Sequence, residues 1–467
     1  MVSSNVKLLS SIIGGLIYNC GIGSIFPLGN FSIYIISYHM HSNESLSTNY
    51  SFFMVPLLSF ALTCFVSIGG LIESKVGVHI SMLIGSTVIL LGNTLLYFSE
   101  HILLTYLSMI IFGIGFGFAL FAPVKNACFY YPEKKGLISA VISSLGHIAG
   151  AGYNLIGETL INKENYTLQK DEVKYPFEIA KNVKRYYRFI FLTVPIGTIF
   201  GLLLTFQYKK KKNLSFISKK EEKGQYKKDL KRIIKSKRVW TLSLVCWLGT
   251  FLLFLLLNTF KAIGATAPKR VDAVLLKYTA FFVGFSLSLS SPLWGVMIDK
   301  ISFRILFSII NIIGMFVGVA IVLGIYYLPI LFCVTVCVNA LCVSGVRTIL
   351  NPHVMKIFGI KYSMIVYGII GLVSGSSNFM GSLFSFVVSS VFKNNKNFAY
   401  GCIFIFGSVL NVFSLLLTQF EKDDVFEFTQ ETFEATTEGN DVVVNPIRFS
   451  NSTSFGDAEG APKPLAQ

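Results

Sequence analysis

The chain has 467 residues, of which 53% are hydrophobic and only 14% charged, a balance that excludes an ordinary water-soluble globular protein of this length. Its formal charge of +16 does not mark a nucleic-acid binder, because residues 209–238 alone hold fourteen Lys and Arg against three acids, whereas residues 421–467 hold ten acids against three bases. The eight cysteines all fall in apolar stretches without zinc-site spacings, so they read as small core residues and not as metal ligands or disulfides.

A hydrocarbon layer of ~30 Å is crossed by about 20 helical residues, and lipid offers no partner to open backbone groups, so each long apolar run must be a helix. The first run, 8–36, is too long for a signal-peptide core and no small-residue cleavage site follows it, so it is expected to stay as span 1. Spans 2 to 6 are expected over 52–71, 80–98, 103–129, 137–161 and 189–206. Spans 7 to 12 are expected over 239–259, 278–298, 306–326, 330–348, 365–388 and 398–417. A basic linker, 208–238, separates the two six-span halves, 1–207 and 239–420, and the acidic tail 421–467 lacks an apolar period and reads as disordered. Positive charge stays on the cytoplasmic side, which places the linker there together with Lys75, Lys134, Lys135, Lys300, Arg304, Lys356, Lys361 and both termini. The segment 162–188 then falls outside with seven bases against four acids, but it is long enough for its charge to weigh less on topology. The expectation is an integral, multi-pass protein of the plasma membrane or of an organelle membrane.

The halves echo one another. Gly69-Gly70-Leu71-Ile72-Glu73-Ser74-Lys75-Val76-Gly77 joins spans 2 and 3, and Gly295-Val296-Met297-Ile298-Asp299-Lys300-Ile301-Ser302-Phe303-Arg304 joins spans 8 and 9. Either loop alone reads as a plain charged turn. Two in register suggest gates, in which Glu73 and Lys75, or Asp299, Lys300 and Arg304, pair with a neighbouring helix end in one conformation and part from it in the other.

An ionisable side chain at the bilayer centre costs at least ~2.5 kcal/mol, so the few within spans are functional candidates. Arg347 in span 10 suits a bidentate clamp on a carboxylate or phosphate, or else an internal ion pair that locks helices together. Lys125 in span 4 is a second basic candidate, unless it snorkels to the membrane surface. His147 in span 5, with Asn154 and Glu158 on or near its face, is either a protonation switch with an ordinary pKa of about 6.5 or a neutral packing histidine. The glycine runs in spans 4, 5 and 11 follow no strand and precede no Lys-Ser or Lys-Thr, so they read as close helix contacts and not as nucleotide loops. No cofactor is expected, and any work across the membrane would run on solute or ion gradients.

The chain resembles the major facilitator superfamily, in particular its oxalate/formate antiporter-like and monocarboxylate transporter-like branches. The resemblance rests on Gly21-Ile22-Gly23-Ser24-Ile25-Phe26-Pro27-Leu28-Gly29-Asn30 with Tyr34 and Ser37-Tyr38, and on Tyr130-Tyr131-Pro132-Glu133-Lys134-Lys135-Gly136-Leu137 after Phe112-Gly113-Ile114-Gly115-Phe116-Gly117. It rests also on Phe358-Gly359-Ile360-Lys361-Tyr362 before Tyr367-Gly368. The departures concern bases: Ser291 stands where the antiporter-like pattern has an Arg before Trp294-Gly295, Ser374 where it has a Lys, and Leu28 where monocarboxylate carriers have a Lys. The resemblance implies an all-α membrane protein of twelve transmembrane helices in two six-helix bundles with cytoplasmic termini. It further implies a secondary transporter and not an enzyme, moving a small organic anion, a monocarboxylate first of all, by alternating access, either as a symporter, with a proton the candidate co-transported ion, or as an antiporter. The substrate-binding candidates are Arg347, Lys125, His147, Asn154, Asn30, Tyr34, Ser291 and Ser374. An amino-acid or other polar-nutrient carrier is the alternative within transport, and a non-transporting receptor or scaffold the alternative outside it.

Overall fold

The computed structural model describes residues 4–120, 122–130, 135–168, 172, 174–206, 228–267, 271–392, 396–421 and 424, and is almost wholly helical. Among the described residues eleven helices are long and apolar enough to cross a bilayer, and a shorter apolar helix, Val6–Ile22, precedes them. Side chains facing away from the bundle are mostly large and apolar, among them Leu203, Phe316 and Leu293, as lipid contact requires.

Span 1 departs from the uninterrupted run expected at 8–36. It is a helix Ser4–Ile22, a single 3-10 turn Gly23–Ile25, and a second helix Leu28–Ser42. Pro27 lacks the N–H that a continuous helix would use, which breaks the ladder. The other spans are Met54–Val76, Val78–Tyr97, Ile102–Tyr130, Lys135–Ile161 and Val183–Leu204 in the first half. The second half has Lys237–Thr266, Ala273–Lys300, Phe303–Tyr326, Pro329–Gly359, Ile365–Val391 and Lys396–Thr418. Spans 10 and 11 join through Gly359, whose φ of 73° suits a residue without a Cβ.

Two boundaries move because a charged residue with a partner does not end a helix. Span 6 begins at Val183, where Arg188 donates to the Tyr97 hydroxyl at 3.3 Å and lies over its ring. Span 7 runs on to Thr266 and so takes in Lys261, whose partner is described below.

Within each half neighbouring spans pack on one another, and the halves meet along two seams, span 5 against span 8 and span 2 against span 11. Internal repetition relates these seams, since spans 2 and 5 correspond to spans 8 and 11. Small residues let the backbones touch: a Cβ on Gly284 would lie 2.7 Å from that of Ala151, and one on Gly375 would lie 2.6 Å from Thr63 Oγ1. Lipid supplies no hydrophobic force between helices, so such close packing is what holds the seams. At the end of the bundle that carries the linker, residues 228–235 are helical and Asp229 accepts a hydrogen bond from the Tyr362 hydroxyl at 2.9 Å. Residues 208–227 of the linker, the 131–134 part of the span 4 to 5 motif, and residues 422, 423 and 425–467 of the acidic tail lie outside the described residues.

Candidate functional site

A cavity of about 230 Å³ lies between the halves, lined by the broken span 1 and spans 2, 4 and 5 on one side and by spans 7, 8, 10 and 11 on the other. Asparagines from both halves face this cavity. Asn30 Nδ2 donates to Asn154 Oδ1 at 3.0 Å, joining spans 1 and 5, and Asn258 Nδ2 donates to Asn378 Oδ1 at 3.1 Å, joining spans 7 and 11. The two pairs join corresponding spans of the two halves, 1 with 5 and 7 with 11, so an amide pair stands on each side of the cavity. Nothing in the sequence pointed to Asn258 and Asn378 except that correspondence of spans: single polar letters in apolar runs carry little signal alone.

Arg347 projects from span 10 and is exposed to the cavity that it lines. Its guanidinium lies 5.2 Å from the centroid of the Phe254 ring and interacts electrostatically with Tyr367 and His147. The ion pairs among the described residues are Glu73 with Lys125, Glu178 with Lys181 and Glu158 with Lys261, so none of them neutralises Arg347. His147 faces the same space from span 5, with its ring 5.0 Å from that of Phe26. Three cavity side chains from the first half hold buried atoms without a hydrogen-bond partner: His147 Nδ1, Asn154 Nδ2 and Asn19 Oδ1. An unpaired buried polar atom costs ~1–3 kcal/mol, so a solute that supplies partners is favoured here. Ser291 and Ser374 also line the cavity, although their hydroxyls bond locally, Ser291 to Ser344 Oγ at 2.6 Å and Ser374 to the Gly371 carbonyl at 3.2 Å.

Two candidates stand elsewhere. Lys125 donates to Glu73 at 2.5 Å, both side chains buried, in a pair between spans 4 and 2. Tyr34 donates to Glu158 Oε2 at 3.0 Å. Of the loop residues, Asp299 accepts from the backbone N–H groups of Gly136 and Leu137, each at 3.3 Å, so its carboxylate caps the start of span 5 from across the seam. Glu73, at the corresponding place, instead pairs inside its own half. Lys75, Lys300 and Arg304 are exposed and, among the described residues, hold no side-chain hydrogen bond or ion pair.

Lys261 was missed because charge served to mark the end of span 7. Its ammonium pairs with the Glu158 carboxylate, and each side chain is only 4% exposed. It lies 4.6 Å from the Tyr34 ring centroid and 5.7 Å from that of Phe31, and Asn162 Nδ2 donates to the Tyr34 hydroxyl at 3.2 Å. The signal was available: an acid within span 5 calls for a base at similar depth, and Lys261 is followed by Ala262-Ile263-Gly264-Ala265.

No protein-family model and no curated protein matches the chain. Solved structures do. The proton:xylose symporter XylE of the major facilitator superfamily, bound to 6-bromo-6-deoxy-D-glucose, is 13% identical, with 92% of this chain and 98% of that chain covered and a TM-score of 0.65. The E. coli fucose:proton symporter FucP, in a variant form, is 12% identical over 89% of this chain and 98% of that one, with a TM-score of 0.58. FucP in the outward conformation gives 13% identity, 88% and 99% coverage and a TM-score of 0.59. At such identities the likeness establishes the fold: this is a major facilitator fold, and with its apolar helices the chain is an integral, multi-pass membrane protein.

Proposed function

We propose that the chain is a secondary active transporter of the major facilitator superfamily that moves a small organic anion bearing one carboxylate, by alternating access of its two halves. The observation that carries this reading is Arg347: a guanidinium open to the cavity, with no acid among the described ion pairs to neutralise it. A carboxylate bound in parallel to two of its N–H groups would supply the missing charge and the geometry together. The serines at 291 and 374, where the antiporter-like pattern has bases, favour one carboxylate over two. The similar structures are described as proton symporters, and a proton gradient is the proposed drive here as well. The linker end is taken as cytoplasmic, because its excess of Lys and Arg is the largest in the chain.

Uptake of labelled solutes into proteoliposomes under a proton gradient tests this. Short monocarboxylates are expected to accumulate and to be blocked by one another, whereas sugars and neutral amides are not. The two amide pairs favour a second reading, a zwitterionic or neutral polar nutrient, for which the same panel would show the opposite order. A receptor or scaffold would accumulate none of them.

Asp299 is proposed as the gate at the linker end. Asp299→Asn keeps an acceptor but removes the charge that complements the start of span 5, a change worth ~0.3–1 kcal/mol. The turnover rate is expected to change while apparent solute affinity stays within about twofold, since the side chain lies outside the cavity. Parallel losses of rate and affinity would indicate a binding role instead.

A further inference from the structure

Tyr34, Glu158 and Lys261 each stand one helical turn beyond a cavity asparagine, following Asn30, Asn154 and Asn258 on the same helix faces. They therefore roof the cavity at the end away from the linker. Glu158 belongs to span 5 of the first half and Lys261 to span 7 of the second, so their pair ties the halves together.

We propose that this pair is a proton-operated lock: a proton taken from the aqueous phase at that end forms an O–H bond on the Glu158 carboxylate, the attraction to Lys261 is lost, and the halves part above the cavity. The idea rests on the transporter reading and names the residue that takes the coupling proton.

The surroundings fit a lock that only a change of charge releases. Glu158 is fully partnered when closed, by Lys261 on Oε1 and the Tyr34 hydroxyl on Oε2. Around the pair are Phe31 and Tyr34 from span 1, Asn162 at the end of span 5, Tyr175 with its ring 4.6 Å from that of Tyr34, and Tyr186 with its ring 4.7 Å from that of Phe31. Lys277 in span 8 is a further cation acting on Lys261. Among the described residues Glu158 is the one acid in an ion pair between the halves, so it is the group whose neutralisation by a proton releases them. Other contacts between the halves at this end, among the described residues, include Thr167 Oγ1, which donates to Asp272 at 3.2 Å and accepts from the Ala273 N–H at 3.1 Å, and the rings of Tyr50 and Phe53 against Phe386. Opening also strips Lys261 of its counter-charge at the mouth of the cavity, where the ammonium would attract an incoming anion. One proton would thus unlock the roof and ready it for the solute.

The test reads opening directly, without a known solute. Val55→Cys places a thiol on the cavity wall in span 2, and Ser45→Cys places one in the exposed loop after span 1. A membrane-impermeant maleimide is applied from the side away from the linker to the full chain in sealed vesicles, and labelling above that of the eight native cysteines is followed. The rate at Val55→Cys is divided by that at Ser45→Cys to cancel the pH dependence of thiol reactivity. Lowering that side from about pH 7.5 to about pH 5.5 is expected to raise the ratio about tenfold or more, because each unit changes the protonated fraction of a carboxyl up to about tenfold. Adding Glu158→Gln is expected to give a high ratio at both pH values. Glu158→Gln with Lys261→Gln, which leaves no orphan charge, should do the same and stands in if the single variant does not fold. A ratio that ignores pH in the otherwise unaltered chain, or that still follows pH once Glu158 is replaced, overturns the lock. Absence of uptake for every solute, with a pH-dependent ratio retained, would instead overturn the transporter reading alone.

Discussion

Arg347→Ala is expected to weaken solute affinity by about 10- to 100-fold, because a charge-assisted hydrogen bond contributes ~1.5–3 kcal/mol and the guanidinium can make two. The amount of folded protein should not fall. None of the described ion pairs includes Arg347, so its removal orphans no carboxylate and relieves the cost of a base in a largely apolar setting. This combination separates a solute clamp from a structural base, for which loss of binding and loss of fold would go together. Arg347→Lys keeps the charge but not the planar fork, and should recover only part of the affinity. Apparent affinity measured by competition against a labelled solute, beside detergent chromatography of the same preparation, checks both halves of the prediction. Unchanged affinity in Arg347→Ala would move the reading to a neutral or zwitterionic solute held by the Asn30–Asn154 and Asn258–Asn378 pairs.

Lys261→Ala is expected to have the largest effect on stability. It leaves the Glu158 carboxylate deep between the halves with no counter-charge, a loss of ~3–5 kcal/mol for a broken buried pair. The melting temperature in detergent should fall by several degrees, or the folded peak should be lost. Glu158→Gln with Lys261→Met removes both charges and should recover most of the loss, since a neutral pair of similar volume leaves no ion to desolvate. Lys181→Ala provides the contrast: its partner Glu178 is largely exposed, and such surface pairs contribute ~0–1 kcal/mol. Equal melting temperatures for Lys261→Ala and Lys181→Ala would mean that water reaches the Glu158 pair.

The number and order of the spans were legible in the sequence because lipid admits few structures, and an apolar run of sufficient length can be little but a helix. Local breaks and side-chain pairing were less so. The turn at Pro27 lies inside an apolar run whose hydropathy never falters, so only the proline and its neighbouring glycines mark it. Lys261 was hidden by the rule that charge ends a span. That rule fails where the charge has a buried partner more than a hundred positions away in the chain, here Glu158. Lys125 illustrates the same limit: its place near the cytoplasmic end of span 4 left a solute contact and snorkelling as the readings, and its partner Glu73 stands 52 positions away in a different span. Arg347, His147, Asn30 and Asn154 do meet at one cavity, because all lie at matching depth on helices that the internal repeat brings to the centre. The second amide pair becomes visible only when that repeat is applied span by span, to Asn258 in span 7 and Asn378 in span 11.

The central claim is that Arg347 binds a carboxylate in the cavity, and equilibrium binding of a matched pair of solutes, a short monocarboxylate and its primary amide, tests it most directly. The two share size and shape and differ in the charge that the guanidinium would recognise. The unaltered protein is expected to bind the acid at least about tenfold more tightly than the amide, and Arg347→Ala to abolish that preference. Equal binding of acid and amide by the unaltered protein, or a preference that survives Arg347→Ala, would contradict the account.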